Sequence, residues 1–220
     1  MTVPINSSAS SDSDDAIEDA IDWVRLNAKA IGIGLAAVAV AAIGWYFYKD
    51  GEASKENAAS KAYLEAQRSM SAGNLPLAQS DLEKMLPRYH GTQSGTLAAI
   101  LLAQVQYSGG KFADGVKVLE QALVSAPSSL RPALKAMVGN GLMDQKKYVE
   151  AAKAYAEAAA MVAAGNEKEG YQAEGARALQ LANNPAEAIK LWKLIVENPE
   201  SSRQAEARVR LGELEAASAK

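Results

Sequence analysis

The sequence predicts an all-α chain: a single transmembrane helix followed by a stack of about four helix pairs plus a closing helix. Three observations carry that reading. Alanine, the strongest helix former, supplies 45 of the 220 residues, and β-branched residues are scarce outside one apolar segment. That segment forms an unbroken apolar run near the start of the chain. Beyond it, small and bulky residues recur at a nearly constant long spacing, the mark of a repeat architecture.

Taken in order, residues 1–13 are rich in serine and small polar side chains with nothing to bury, which predicts a disordered acidic head. From Asp14 onward Ile17, Ile21 and Val24 recur at helical spacing among Asp15, Glu18, Asp19 and Asp22, with Trp23 beside them. Residues 14–29 therefore read as an amphipathic juxtamembrane helix. Ala30 to Tyr48 then give 19 consecutive uncharged residues, which at about 1.5 Å rise each match a hydrocarbon core of ~30 Å. Arg25 and Lys29 flank one end and Lys49 the other, while Trp45, Tyr46 and Tyr48 form an interfacial aromatic belt. A buried core helix rarely runs so long without a polar residue, and a cleaved leader would start earlier and follow a basic head. Positive charges lie on both sides, so charge counting does not decide the topology. Gly32 with Ala36, and Ala37 with Ala41, make small-xxx-small pairs that allow another helix to approach; ordinary alanine-rich lipid-facing sequence explains them equally well.

Residues 49–220 carry the repeat. Gly73–Leu86, Gly110–Leu123, Lys146–Ala159 and Asn183–Val196 superimpose without a gap. Each reads as a second helix opened by a tight turn. A small residue stands early in each (Ala78, Gly115, Ala151, Ala188) and a bulky one four positions later (Leu82, Leu119, Tyr155, Trp192). Twelve residues upstream of each early small residue stands another, at Ala66, Ala103, Gly139 and Ala176; Gly212 continues the series into a closing helix from Ser202 to Ala216. The spacings are 37, 36, 37 and 36. Small residues on facing helices let backbones approach, and the bulky residue is expected to fill the gap left by the next unit.

This arrangement resembles the tetratricopeptide repeat, a helix-turn-helix unit whose copies stack into a superhelix, which implies a TPR-like α-solenoid. The best local match is Leu101 to Pro127, with its small residue, turn glycine, aromatic and closing proline. The repeats here run two or three residues long, and Pro185 replaces the aromatic after the turn. Anchor and repeats together resemble a narrower family, the tetratricopeptide-like ancillary subunit of the bacterial Sec translocon. The residues that carry this are the acidic head with Trp23 and Asn27, Gly32 in the span, GWYFY from Gly44, and the AASKAY run from Ala58. The resemblance implies a single-pass protein of the bacterial inner (cytoplasmic) membrane, its N-terminus cytoplasmic and its repeats periplasmic. Partners would then be translocon subunits, a membrane-bound periplasmic chaperone or emerging substrate chains.

For chemistry the sequence is negative. Cysteine is absent and the single histidine, His90, sits in a loop between repeats, so no metal site, Cys nucleophile or histidine-based acid–base cluster is expected. Gly109 and Gly110 belong to a helix–helix turn and lack the lysine and hydroxyl of a phosphate loop. No enzyme activity and no cofactor are expected. The net charge of −3 gives no basic surface for nucleic acid. In tetratricopeptide superhelices the first helix of each pair lines the concave side. Carried onto this chain, that face comprises Tyr63, Gln67, Met70, Ile100, Gln104, Tyr107, Asn140, Met143, Arg177 and Gln180. Such a surface suits an extended or helical segment held by apolar contact and amide hydrogen bonds; equally, Tyr63, Ile100 and Tyr107 read as residues packed between helices. Arg177 is the one cation there, so a clamp for carboxylate tails is not expected. Two functions fit: a chaperone-like adaptor at the translocon, or an accessory subunit bracing a large respiratory or photosynthetic membrane complex.

Overall fold

The structure, a computed structural model, describes Trp23 and residues 25–218. The expected disordered head and most of the amphipathic segment at 14–29 lie outside the described residues. Nine helices follow among those described: α1 Ala28–Ser71, α2 Leu75–Tyr89, α3 Gln93–Ser108, α4 Phe112–Leu123, α5 Arg131–Asp144, α6 Tyr148–Ala160, α7 Asn166–Leu181, α8 Pro185–Glu197 and α9 Gln204–Ser218. No strand occurs among the described residues. The chain divides into two compact units, Met1–Ala53 and Ser54–Lys220.

In the first unit, α1 holds an 18-residue window of mean hydropathy 2.0 with none of it buried. By length and composition it is able to cross a membrane. The rings of Trp45 and Tyr48 are tilted by 32° with centroids 6.3 Å apart, and Lys49 Nζ lies 5.8 Å from the centroid of the Trp45 ring. The helix does not stop where the apolar run does. Past Tyr48 the charged and alanine-rich stretch keeps helix-forming residues with Gly51 as the sole breaker, and α1 ends only at Ser71.

The second unit is built of pairs: the part of α1 from Ser54 with α2, then α3 with α4, α5 with α6, and α7 with α8, closed by α9. What ends each first helix is one backbone device used four times. Gly73, Gly110, Lys146 and Asn183 have φ of 77°, 73°, 60° and 57°, the left-handed conformation. In each case that residue's N–H and the next one reach back to the last turn: Gly110 to the Tyr107 carbonyl and Lys111 to that of Gln106, Lys146 to Met143 and Lys147 to Leu142. These paired bonds satisfy carbonyls the helix leaves open and turn the chain into the second helix. Two of the four positions are glycine, which takes this conformation without strain; Lys146 and Asn183 do not have that freedom.

Packing follows the register read from the sequence, with one correction. Each bulky residue fills the gap left by the small residue of its own first helix as well as meeting the next unit. Leu82 clusters with Ala66 and with Ala98 and Leu101, Leu119 with Ala103 and with Leu134 and Val138, and Trp192 with Ala176 and with Ala207. Tyr155 lies against Gly139 and clusters with Ala178 of the next first helix. The second helix leans over its own partner first because the tight turn places the two side by side. Leu82, Leu119 and Trp192 are fully buried; a leucine cut to alanine at such a site costs about 2–5 kcal/mol. The indole N–H of Trp192 has no acceptor there.

Units are also tied through polar groups. Glu56 of α1 accepts from the backbone N–H of Gln93 (2.7 Å) and of Ser94 (2.9 Å) and from Ser94 Oγ (2.6 Å). A carboxylate thus sits on the N-terminus of α3, where unpaired N–H groups and the helix dipole favour it. Thr92 completes the cap by accepting from Gly95 N. At the other end buried Glu169 of α7 accepts from Asn198 Nδ2 and Ser201 Oγ in the turn before α9. The closing helix begins at Gln204 rather than Ser202, because these loop residues are held by Glu169 instead of entering the helix.

Candidate partner-binding surface

The ten residues read from the sequence fall on equivalent positions of successive first helices. Two rows result. One, directly after the small residue of each unit, is Gln67, Gln104, Asn140 and Arg177; the other, one turn later along each helix, is Met70, Tyr107, Met143 and Gln180. Tyr63 and Ile100 stand one turn earlier. The first row is the accessible one: Gln104 and Asn140 are exposed, Gln67 and Arg177 half-buried. Three carboxamides at repeat spacing offer donors and acceptors suited to a peptide backbone.

The second row faces inward. Met70 and Tyr63 are half-buried against the Leu82 cluster, Ile100 and Tyr107 against the Leu119 cluster, and Met143 against the Tyr155 cluster. Gln180 is half-buried as well. Tyr107 is the most committed of these to the stack. Its hydroxyl donates to the Met137 carbonyl at 3.0 Å, and a Cβ on Gly115 would come 2.3 Å from its ring, and one on Gly141 2.3 Å from its hydroxyl oxygen and 2.5 Å from its ring. Burial, then the charges of Asp144 and Glu120, push its phenol pKa well above the ordinary value. Tyr63 accepts from Gln67 Nε2 at 3.0 Å; burial raises its pKa and that bond works the other way. Tyr155 donates to Asn140 Oδ1 at 2.6 Å, so one exposed carboxamide is held from below.

A model of the tetratricopeptide repeat-like domain matches residues 22–157, more than half of the 220-residue chain. The chain belongs to this family. Solved structures agree on the fold. The nearly identical TPR-like repeats of a Podosopora anserina protein assigned as a kinesin light chain superimpose with a TM-score of 0.59 at 18% identity, covering 74% of this chain and 88% of that one. A variant of the same repeats with one glutamine replaced by methionine gives the same values. No curated protein matches the sequence. Tetratricopeptide-like domains generally serve as non-enzymatic scaffolds for protein–protein interaction, and the partners expected of this one are proteins.

Within this tetratricopeptide-like stack the single cation of the candidate face is already engaged. Arg177 pairs with Glu174 on its own helix and with Glu206 of α9. Burial lowers its pKa, and the bonds and charges of Glu206 and Glu174 outweigh that and leave it raised. With two carboxylates beside it, the guanidinium ties α7 to α9 and leaves little charge for a carboxylate tail. His90 is exposed; its Nδ1 lies 3.1 Å from the Pro87 carbonyl, where it donates, and its own carbonyl accepts from Lys55 Nζ at 3.0 Å. Among the described residues no group of three or more His, Asp or Glu side chains could hold a metal ion. Gly32, Ala36, Ala37 and Ala41 are all exposed, and nothing approaches Gly32 within 4 Å. The sequence reading passed over Gln106, which is buried in α3 where α5 and α7 carry Leu142 and Leu179.

Proposed function

We propose that the protein is a membrane-anchored protein–protein interaction scaffold, and within that class a periplasmic, chaperone-like adaptor at the bacterial Sec translocon. One observation supports the anchor above all: α1 holds an 18-residue window of mean hydropathy 2.0, with no share of it buried among the described residues. An apolar helix surface of that length is covered by lipid or by other membrane helices. The scaffold part rests on the repeat-like family and on the row of carboxamides at Gln67, Gln104 and Asn140. The translocon and the periplasmic side rest on the resemblance of the acidic head, the Trp23 and Asn27 entry and the GWYFY exit.

The test is a photo-crosslinking residue placed at Gln104 or Asn140 in the full chain within living bacterial cells, with adducts identified by mass spectrometry. Adducts with translocon subunits, a membrane-bound periplasmic chaperone or translocating chains support the reading. Adducts confined to subunits of a respiratory or photosynthetic complex would replace it with the bracing-subunit reading. A reporter fused after Lys220 is expected to signal from the periplasm, and a cytoplasmic signal overturns the topology.

A further inference from the structure

The outer face of α9 has no partner among the described residues. Ala207, Leu211 and Leu214 turn inward against the Trp192 cluster. On the opposite side Ala205, Val209, Gly212 and Ala216, one turn apart in succession, are all exposed. Val209 is 61% exposed, and nothing lies within 4 Å of a Cβ on Gly212. In the repeat register this is the face on which each earlier first helix meets its own antiparallel second helix: Gly139 of α5 takes the ring of Tyr155 of α6 there. A charge accompanies that contact. Four residues before Gly139 stands Lys135, which pairs with Glu157 of the second helix at 2.5 Å. Four residues before Gly212 stands Arg208, exposed and in no ion pair among the described residues, whereas Arg203 and Arg210 beside it are both paired.

We propose that a second copy of this chain supplies the helix that α9 lacks, the two α9 helices packing antiparallel about a two-fold axis. Laid against itself in that sense, the stripe puts Val209 opposite Gly212 and Ala205 opposite Ala216 in both directions, so the larger residue meets the smallest at the centre, as it does within the stack. Arg208 and Glu215 each precede a stripe residue by one position and share one flank, and the two-fold sets Arg208 of each copy against Glu215 of the other. Glu215 is free to take that role: it is 53% exposed and its own contact, with Lys193, is 3.5 Å long. On the other flank Glu206 and Glu213 face one another, but each is already held by an arginine of its own helix, Arg203 at 3.6 Å and Arg210 at 3.0 Å. This twofold match of charge selects the chain's own α9 over an unrelated amphipathic helix. A parallel pair would set Val209 on Val209 and Gly212 on Gly212, crowding one layer and emptying the next. Four residues a side is far below the about 20–30 of a stable interface, so the pairing belongs to copies gathered on one membrane and leaves the dilute chain single. It goes beyond the scaffold reading and takes from it only the anchor that gathers the copies.

The experiment is disulfide crosslinking of the full chain in phosphatidylcholine vesicles, read on non-reducing gels. The chain has no cysteine, so each introduced thiol is the only one. Copies carrying Ala205→Cys mixed with copies carrying Ala216→Cys should give a crosslinked dimer. Either variant alone should not, because like residues then lie about 16 Å apart along the antiparallel pair. Arg208→Glu in both copies should lower the yield about fivefold to tenfold, by turning two attractive pairs into repulsive ones. Adding Glu215→Arg to the same chain should restore it. All four sites are exposed, so these variants keep the fold, which circular dichroism checks. Equal yields from the mixture and from either variant alone overturn the antiparallel pair, and a yield indifferent to Arg208→Glu overturns the charge match. No dimer band at all overturns the proposal and leaves the face to a helix of another protein. Cosedimentation with the vesicles, read on the same samples, reports the anchor separately; a chain that stays in solution fails the anchor alone, and its crosslink is then read at raised protein concentration.

Discussion

The ring of Tyr155 lies across Gly139 so closely that a Cβ on the glycine would meet ring carbons at 2.8 Å. Tyr155 is 2% exposed and its hydroxyl is bonded to Asn140, so the ring is not free to yield. Gly212 occupies the same place in the register, and nothing lies within 4 Å of its Cβ position. No second helix follows α9 among the described residues to cover it.

These two glycines give the first prediction. Gly139→Leu should lower the stability of the full chain by about 1–3 kcal/mol through overpacking. Gly212→Leu should be neutral or stabilise by up to about 1 kcal/mol, since it improves helix propensity in open space. Chemical denaturation followed by circular dichroism checks both. An unchanged midpoint for Gly139→Leu would count against the register.

The second prediction concerns the recurring left-handed residue. Lys146→Gly should stabilise by about 1 kcal/mol, because glycine relieves the strain of φ 60°. Asn183→Gly should gain less, since asparagine tolerates this conformation better than lysine. Equal or reversed effects in the same denaturation measurement would show that the turns are held by side-chain contacts.

Alkaline stability gives the third. Burial, followed by neighbouring carboxylates, raises the phenols of Tyr107 and Tyr155, and burial with the Glu167 bond pushes Tyr171 up to about 12. A folded-state pKa above the unfolded one means the unfolded chain loses its proton first. The stabilisation is therefore complete below about pH 10 and is lost as pH climbs through the folded values. Melting temperature should stay level with respect to these groups up to about pH 10 and fall beyond it. A double Tyr107→Phe, Tyr155→Phe variant should fall less steeply, and an identical slope would refute the assignment.

Tyr107 supplies the fourth. Its ring fills the space over Gly115 and Gly141, so Tyr107→Ala should cost about 3–5 kcal/mol, while Tyr107→Phe should cost only about 1 kcal/mol for the lost bond to Met137. Gln104→Ala, at an exposed site, should stay within about 0.5 kcal/mol of the parent. Should Tyr107→Ala melt like the parent, the residue would rejoin the free partner contacts.

The stack was legible because its signal is periodic: Ala66, Ala103, Gly139 and Ala176 are small for a reason that repeats, and every one is buried. The four left-handed turns were less so, since Lys146 and Asn183 do not announce a conformation that Gly73 and Gly110 do. Within the candidate face, the sequence left Tyr107 equally open to the groove and to the helix interface, whereas Gln104 carried no such alternative. The bond of Tyr107 to the Met137 carbonyl and its contact with Gly115 and Gly141 decide for the interface. Glu56 could not be picked out either, because its partners stand 37 and 38 residues away and are ordinary backbone groups. Gln106 was visible in principle, as an amide at the position where α5 and α7 carry leucine and α1 carries Ser69.

That Glu56 contact has a kinetic side. Its bond to Ser94 spans 38 residues, little more than one repeat, and the bonds that tie α7 to the closing turn and helix span 29 to 36. Such local wiring favours rapid folding, since little chain entropy must be lost before each contact forms. The pairs can therefore assemble one after another as the polypeptide is synthesised, each first helix completing the pair before it. Amide exchange should likewise open from α9 inward, with α3 and α5, covered on both sides, exchanging last.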